Sequence, residues 1–357
     1  MEDLARRFPL VPAGRQRLVP FAERVRRVKE FARIANGMGR TALKRGADAL
    51  GGAAMILADG GHSHLARHLL WQHVNLFRAG RPFTVDAAKL ALEPLINLGR
   101  LQAQQGDAYA AHQTFESLLN GVRTLGEVKI DGRSSHLQRL VVSADHAELV
   151  RWVWQTLYQE HTRALTQSGQ WSEALKGITQ RQRVSRRLLE CRQVAVLAQP
   201  SAEISLRMIA DSSLEADWET PVAACLRVLS LARAGRRTSN ATDTMTSAFL
   251  QFRPPREHPL FYTRLGLTVY NLAAGSANAP LVAEQLRVEA LAARDAFAAH
   301  EILPLVRTMP EAGETVARLT QRARRAELGE VLPPVVVGPV METAWKAMAA
   351  IEIILAR

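Results

Sequence analysis

Helix-breaking residues recur along this chain about one helical hairpin apart, and this recurrence limits the fold more than any other sequence feature. The breaks lie near positions 61, 106, 132, 169, 200, 235 and 275. Between them, apolar residues recur at helical spacing, and they are mostly Ala, Leu and Val. Strands favour aromatic and β-branched residues, but aromatic residues make up only 6% of the chain. The pattern therefore predicts an all-α fold that grows by stacking helical hairpins.

The clearest unit runs from Leu95 to Arg123. Gly106 can take the positive φ that ends the first helix of this unit. Ala111 keeps the two helix backbones close together, and Phe115 fills the space towards the next hairpin. The small residue lies five positions after the turn glycine, and this spacing is a pattern that can be sought elsewhere in the chain.

Two further segments repeat the spacing, with Gly61 before Ala66 and Gly169 before Ala174. These residues resemble the tetratricopeptide repeat, which has a small residue at the helix crossing and a glycine-containing turn. The segments ARHLLWQH and KLALEPLINL are similar to actinobacterial helical-repeat proteins, a likeness that supplies no activity. The resemblance implies a right-handed superhelix of about six antiparallel hairpins with a C-terminal capping helix over the last hairpin.

Prolines and charge predict four segments. These are a basic N-terminal helix or partly flexible segment at 1–40, tetratricopeptide-like hairpins at 41–250, further hairpins at 251–330, and a proline-rich linker with the capping helix at 331–357. The proline-rich Gln251–Pro259 is expected to be extended. Val128–Ser135 is predicted as a short hairpin or loop, and Thr238–Thr246 as a loop or poorly formed helix.

Positive charge is concentrated at the N-terminus. The net charge is +12, and Met1–Leu50 holds 12 Lys or Arg against 5 Asp or Glu. Two arginine groups are placed on predicted helices, the second of them spanning 181–192: Arg24, Arg26 and Arg27, and Arg183, Arg186 and Arg187. Two explanations of these arginine groups stay open. They are solvated helix faces or the result of a compositional bias towards arginine, or they bind an acidic peptide, a phosphorylated partner or nucleic acid. We expect residues 1–33 to be dispensable for the helical fold.

The sequence shows neither a membrane span nor a secretory signal, and it contains two cysteines. No apolar stretch approaches the roughly 20 residues that span a bilayer, and the first twenty residues lack the apolar core of a secretory signal. The two cysteines, Cys191 and Cys225, lie in apolar helical patterns and cannot form a disulfide framework. These features predict a cytoplasmic protein with no membrane segment.

Motifs for catalysis are absent from the sequence: it contains no phosphate-binding loop, no dinucleotide fingerprint and no nucleophile elbow. His64 and His68 lie four residues apart, so they would share one face of a helix and could hold a metal ion. The alternative is that the segment containing both histidines is simply the second helix of a repeat. The prediction is therefore a non-catalytic chain without a cofactor, with these two histidines as the metal candidates.

The repeat resemblance implies a function, since the first helices of such hairpins line a concave groove that binds peptide segments. The predicted groove residues are Asn97, Arg100, Gln104, Tyr158, His161 and Arg163. The predicted function is a protein- or peptide-binding adaptor or regulatory scaffold whose partner is acidic. One alternative is a regulator that contacts nucleic acid weakly and non-specifically through the basic N-terminus. Another is a helical metal-dependent enzyme or biosynthetic accessory protein. The sequence specifies no oligomeric state.

Overall fold

The computed structural model describes residues 2–12, 21–77, 82–180, 184–253, 257–326 and 331–356. In chain order, its elements are α1 (Glu2–Ala5), α2 (Phe21–Ala35), α3 (Gly39–Asp59), α4 (Ser63–Leu76), α5 (Val85–Gln104), α6 (Ala108–Thr124), β1 (Glu127–Ile130), β2 (Arg133–His136), a 3-10 turn (Ser143–Asp145), α7 (His146–Gln167), α8 (Trp171–Thr179), α9 (Glu190–Leu197), α10 (Ala202–Ala210), α11 (Glu219–Arg233), α12 (Ser239–Gln251), α13 (Pro259–Leu272), α14 (Ala279–Ala292), α15 (Ala296–Val306), α16 (Gly313–Arg325) and α17 (Pro334–Leu355). The prediction of a mostly helical fold is confirmed. None of the described helices combines the length and the apolar content that a bilayer crossing requires.

Glycines with positive φ mark the predicted breaks. Their φ values lie between 65° and 85° at Gly61, Gly106, Gly132, Gly169, Gly235 and Gly275. At Gly106 no described residue beyond its chain neighbours has an atom within 4 Å of the place where a Cβ would be, so the backbone conformation, not crowding, favours glycine there. The break near position 200 separates α9 from α10. The predicted positions of the breaks are confirmed.

Helices α5 and α6 pack closely because one position in each carries little or no side chain. Ala111 is fully buried between them. A Cβ added to Gly99 would lie 2.4 Å from Cε1 of Phe115, whose ring is itself buried. Phe115 thus covers Gly99 within its own helix pair. The expectation that the ring also fills the space towards the next hairpin stays a prediction.

The chain divides into two compact units. Unit 1 consists of Met1–Leu18 and Leu165–Ala326, and unit 2 consists of Val19–Ala164 and Glu327–Arg357. The boundary falls inside α7, so the predicted hairpin Trp152–Arg181 contributes residues to both units. These two units differ from the four predicted segments. The unit boundary divides the predicted segment 1–40, and the C-terminal residues 327–357 belong to the same unit as residues 19–164.

Unit 2 is closed by its C-terminal helix. Helix α17 packs on α2, α3 and α4. A Cβ added to Gly46 of α3 would lie 2.6 Å from Cγ1 of Ile351, so glycine permits the close approach. Just before α17, the backbone N–H of Leu332 donates to the carbonyl of Gly60 at 2.9 Å. The expected position of this helix over the last hairpin is therefore corrected.

The first residues of the chain are anchored in unit 1. Phe8 and Leu10 are buried. The fully buried Gln193 holds both backbone groups of Leu10: its Oε1 accepts from the N–H at 2.7 Å, and its Nε2 donates to the carbonyl at 2.9 Å. Val28 of α2 belongs to the core of unit 2. The expectation that residues 1–33 are dispensable is thus corrected, because their removal takes core residues from both units.

Of the three short segments predicted as hairpin, loop or extended chain, one is a hairpin, one is mostly helical and one is described only in part. Val128–Ser135 lies in the β1–β2 hairpin, in which Val128 pairs with Ser135, so the hairpin alternative is confirmed. Most of Thr238–Thr246 is helical, since α12 begins at Ser239. The middle of Gln251–Pro259, at 254–256, lies outside the described residues.

Candidate partner-binding site

A row of half-exposed polar side chains joins α5 to α7 in unit 2. Arg100 Nε donates to Glu160 Oε1 at 3.1 Å, and Arg100 Nη1 donates to Asn97 Oδ1 at 3.2 Å. The Arg100 and Glu160 side chains remain 39% and 33% exposed. We call Glu93, Asn97, Arg100 and Glu160 the polar row. Its central ion pair holds two helices together and stays accessible to a partner.

Helical spacing explains why these residues share a surface. Glu93, Asn97 and Arg100 follow one another at four and three positions, which places them on one face of α5. The other faces of α5 carry buried residues such as Leu92 and Leu95. Burying these apolar side chains fixes the rotation of the helix, and that rotation brings the polar face to the surface.

Glu93 is the electrostatically perturbed member of the polar row. Burial raises its pKa, and the neighbouring carboxylate of Asp48 raises it further, while Lys44 and Arg100 act in the opposite direction. The charged form of Glu93 is thus penalised in this structure. A cationic group brought by a partner would stabilise it.

Only part of the predicted groove converges. Asn97 and Arg100 contact each other, and Gln104 lies exposed at the end of the same helix. His161 instead meets α6: its ring stacks on His112 with centroids 4.9 Å apart, and its Nε2 lies 2.7 Å from Nδ1 of that residue.

Tyr158 and Arg163 of the predicted groove also diverge. Both are half-buried on α7. Five helical positions separate them, which places them about 140° apart around the helix axis. The structure therefore does not bring all six predicted residues to one surface.

Three residues of this region are not among those predicted from the sequence: Glu93, Glu160 and His112. For Glu93, the spacing to Asn97 and Arg100 on α5 was a readable signal. No local signal could identify Glu160, because its partner Arg100 is 60 positions away in the chain. The same holds for His112 and its stacked partner, which are 49 positions apart.

The first predicted basic group lies on a helix, as expected, but its members differ in environment. Arg24 donates to Asp59 at 2.5 Å, and their side chains are only 14% and 15% exposed. Arg26 is 79% exposed, and Arg27 lies over the ring of Phe31, 5.4 Å from its centroid. Arg24 is therefore an internal structural residue, while the other two face solvent.

The two described members of the second predicted basic group, Arg186 and Arg187, do not lie on a helix, so the helical prediction is wrong for them. Arg183 lies outside the described residues. Arg186 and Arg187 precede α9 in an extended segment, where the Arg186 carbonyl accepts a hydrogen bond from Ser213 N–H at 2.8 Å. Arg187 Nε donates to the fully buried Glu219 at 3.0 Å, an ion pair that raises the arginine pKa. The backbone hydrogen bond with Ser213 and the ion pair with Glu219 hold Arg186 and Arg187 in a non-helical conformation, although the local sequence pattern is helical.

The two histidines predicted as metal candidates are exposed on α4. His68 Nε2 lies 3.2 Å from Gln72 Nε2. The nearby His62 ring lies 6.1 Å from that of His64, and its Nε2 is 2.7 Å from the carbonyl oxygen of Leu332. Among the described residues, no three His, Cys, Asp or Glu side chains are placed to share a metal ion.

A cavity of about 500 Å³ lies beside the β hairpin in unit 2. Val74, Phe77 and Leu95 form apolar walls, and the segment 134–140 supplies polar groups. Two backbone hydrogen bonds hold the end of that segment in place: Phe83 N–H donates to the Leu140 carbonyl at 3.2 Å, and the Phe83 carbonyl accepts from Val142 N–H at 3.0 Å. This cavity is not predictable from the sequence, because its walls come from helices and a hairpin that are distant in the chain.

Comparison with known proteins does not extend these observations. No protein family, curated protein or solved structure matches the chain. The tetratricopeptide resemblance therefore rests on the turn and helix residues described above.

Proposed function

We propose that this chain is a non-catalytic, cytoplasmic adaptor that binds a protein or peptide through the polar row on α5 and α7. The observation that carries the proposal is the Arg100–Glu160 ion pair, which joins two helices and is left partly exposed. Partly desolvated charged groups of this kind direct recognition, because a partner must match both their signs and their positions.

The packing of consecutive helices in pairs supports the interpretation of the fold as a series of repeats. Packed consecutive pairs include α3–α4, α5–α6, α9–α10, α11–α12, α13–α14 and α15–α16. We propose that these pairs are tetratricopeptide-like hairpins, and that the right-handed superhelix of about six hairpins describes how they stack. In such a repeat α5 is a first helix, which is the helix that lines a binding groove.

The charges of the polar row refine the expected partner. The prediction of an acidic partner rests on the net charge of +12. The row itself carries both signs, with Arg100 between Glu93 and Glu160. We therefore propose a partner segment of mixed charge: its acidic group meets Arg100, and its cationic group meets Glu93, because a cation would stabilise the charged form of that half-buried carboxylate.

Affinity capture from the native organism with Asn97→Ala and Arg100→Ala variants tests the proposal. Partners retained by the wild type are identified by mass spectrometry and then measured with the purified protein. We expect each variant to weaken binding by about 1–3 kcal/mol, since each removes a charged or polar contact. Nuclease treatment of the lysate separates protein partners from nucleic acid.

Arg123→Ala is the matched control. This arginine is exposed on α6 and contacts only Asn120 on its own helix, at 3.5 Å, among the described hydrogen bonds. We expect the control to retain the same partners as the wild type. Equal retention by all variants would rule out the polar row as the binding surface, and retention of nucleic acid alone would favour the nucleic-acid alternative.

A further inference from the structure

Unit 1 contains a cleft of about 390 Å³ between the N-terminal segment, α13, α15 and the end of α7. Three of its lining residues are arginines, namely Arg6, Arg7 and Arg264, and one, Glu301, is acidic. Its size falls within the range of small-molecule sites. The described lining thus has an excess of positive charge, although it includes none of the described residues of the predicted basic groups.

Glu301, the one carboxylate among the described lining residues of the cleft, already forms an ion pair with Arg264. Arg264 Nε lies 2.8 Å and 3.0 Å from the two carboxylate oxygens of Glu301, and its Nη2 also donates to Oε1. This bidentate pairing satisfies one guanidinium group. Glu301 therefore cannot serve equally as the partner of the other two arginines.

The remaining guanidinium groups are poorly neutralised. Among the described residues, the ion-pair contact of Arg6 is with Asp3 at 3.5 Å, and this carboxylate is 94% exposed and correspondingly weak as a partner. Arg7 forms no ion pair within the described part of the chain. Surrounding protein lowers the pKa of Arg7, and Glu301 offsets this only in part. An anion placed in the cleft would stabilise both groups.

The arginines are held in place by the fold. Ala5 and Phe8, on either side of the pair, are buried, and Gln193 clamps Leu10 as described above. Leu10 and Leu267 add apolar surface to the cleft, and Gln167 adds an amide. Anchored donors lose less conformational entropy on binding than those of a free arm.

We propose that this cleft binds the phosphate or carboxylate group of a small anionic ligand, with Arg6 and Arg7 as its contacting guanidinium groups. Planar guanidinium groups match the oxygens of both anions, and the apolar walls accommodate the body of the ligand. This binding site is independent of the partner surface proposed for unit 2.

Isothermal titration calorimetry on the full chain tests the site, using pyrophosphate and citrate as separate probes at fixed ionic strength. We expect saturable single-site binding of at least one probe, and Arg7→Gln should weaken it at least about tenfold by removing charge-assisted hydrogen bonds. Binding of pyrophosphate alone identifies a phosphate ligand, and binding of citrate alone identifies a carboxylate.

Arg26→Gln is the control, since it removes the same charge from a residue that is 79% exposed on α2. We expect its affinity to stay within about twofold of the wild type. Melting curves check that Arg7→Gln is folded, and Arg6→Gln provides the same test should that variant fail to fold. The proposal is overturned if neither probe saturates, or if control and cleft variants weaken binding equally.

Discussion

Replacing Gly99 with alanine tests the close packing of α5 and α6, because two effects of known size oppose each other. Alanine is favoured over glycine inside a helix by about 1 kcal/mol. The new Cβ, however, would lie 2.4, 2.9 and 3.0 Å from three atoms of the Phe115 ring. Carbon atoms in favourable contact are about 3.5–4.0 Å apart, so the ring or a helix must move.

These magnitudes predict that Gly99→Ala destabilises the protein. Overpacking a buried site costs about 1–3 kcal/mol, so Gly99→Ala should lower the free energy of unfolding by about 1 kcal/mol after the helix gain is subtracted. For a unit of this size the loss corresponds to about 2–4 °C in Tm. Urea and thermal unfolding followed by circular dichroism at 222 nm measure both quantities.

Gly51→Ala is the matched control in the same unit. Among the described residues, its Cβ would meet only Asn97 Nδ2, at an ordinary distance of 3.7 Å. We expect this variant to gain about 0.5–1 kcal/mol. Adding Phe115→Leu to Gly99→Ala should remove the clash, so the effects of the two substitutions should not add. Equal stabilisation by Gly99→Ala and Gly51→Ala would refute the helix packing described above.

Two further predictions concern buried polar groups. Burial lowers the pKa of His73 to about 3, so below pH 6.5 the unfolded state binds a proton that the folded state does not, and stability falls as the pH drops from about 6.5 towards 3. In urea unfolding, His73→Leu should lack this loss, so the substitution should be more favourable by about 2 kcal/mol at pH 5 than at pH 7.5. Gln193→Ala leaves both backbone groups of Leu10 without partners and should cost about 2–3 kcal/mol. Limited proteolysis should then cleave the N-terminal segment first, and an unchanged cleavage pattern would contradict the proposed anchor.

The sequence predicted the turns well because a turn depends on local backbone conformation. Gly106 and Gly169 each adopt a positive φ at a predicted break, a conformation that glycine reaches without steric cost. Ala111 and Ala174 are buried at the predicted spacing after these glycines. Such features are encoded within a few residues and can be read without the tertiary structure.

Long-range packing limited the rest of the prediction. The return of α17 to α3 depends on complementary surfaces such as Gly46 and Ile351, which are far apart in the chain. The candidate site required α5 and α7 to be neighbours before Arg100 could be paired with Glu160. Arg187 shows the opposite failure, because a helical pattern was present but backbone pairing near Ser213 overrode it.

The distribution of charge in the fold changes what the net charge of +12 implies. Several arginines that contribute to the total are engaged by carboxylates of the same chain, as in the Arg24–Asp59 and Arg264–Glu301 pairs. An engaged guanidinium adds little to polyanion binding, since its field is largely cancelled at short range. Binding is therefore expected where arginines outnumber the carboxylates around them. Among the sites described above, the cleft around Arg7 meets this condition most clearly, so a local excess of charge is a better guide to an anionic ligand than the total.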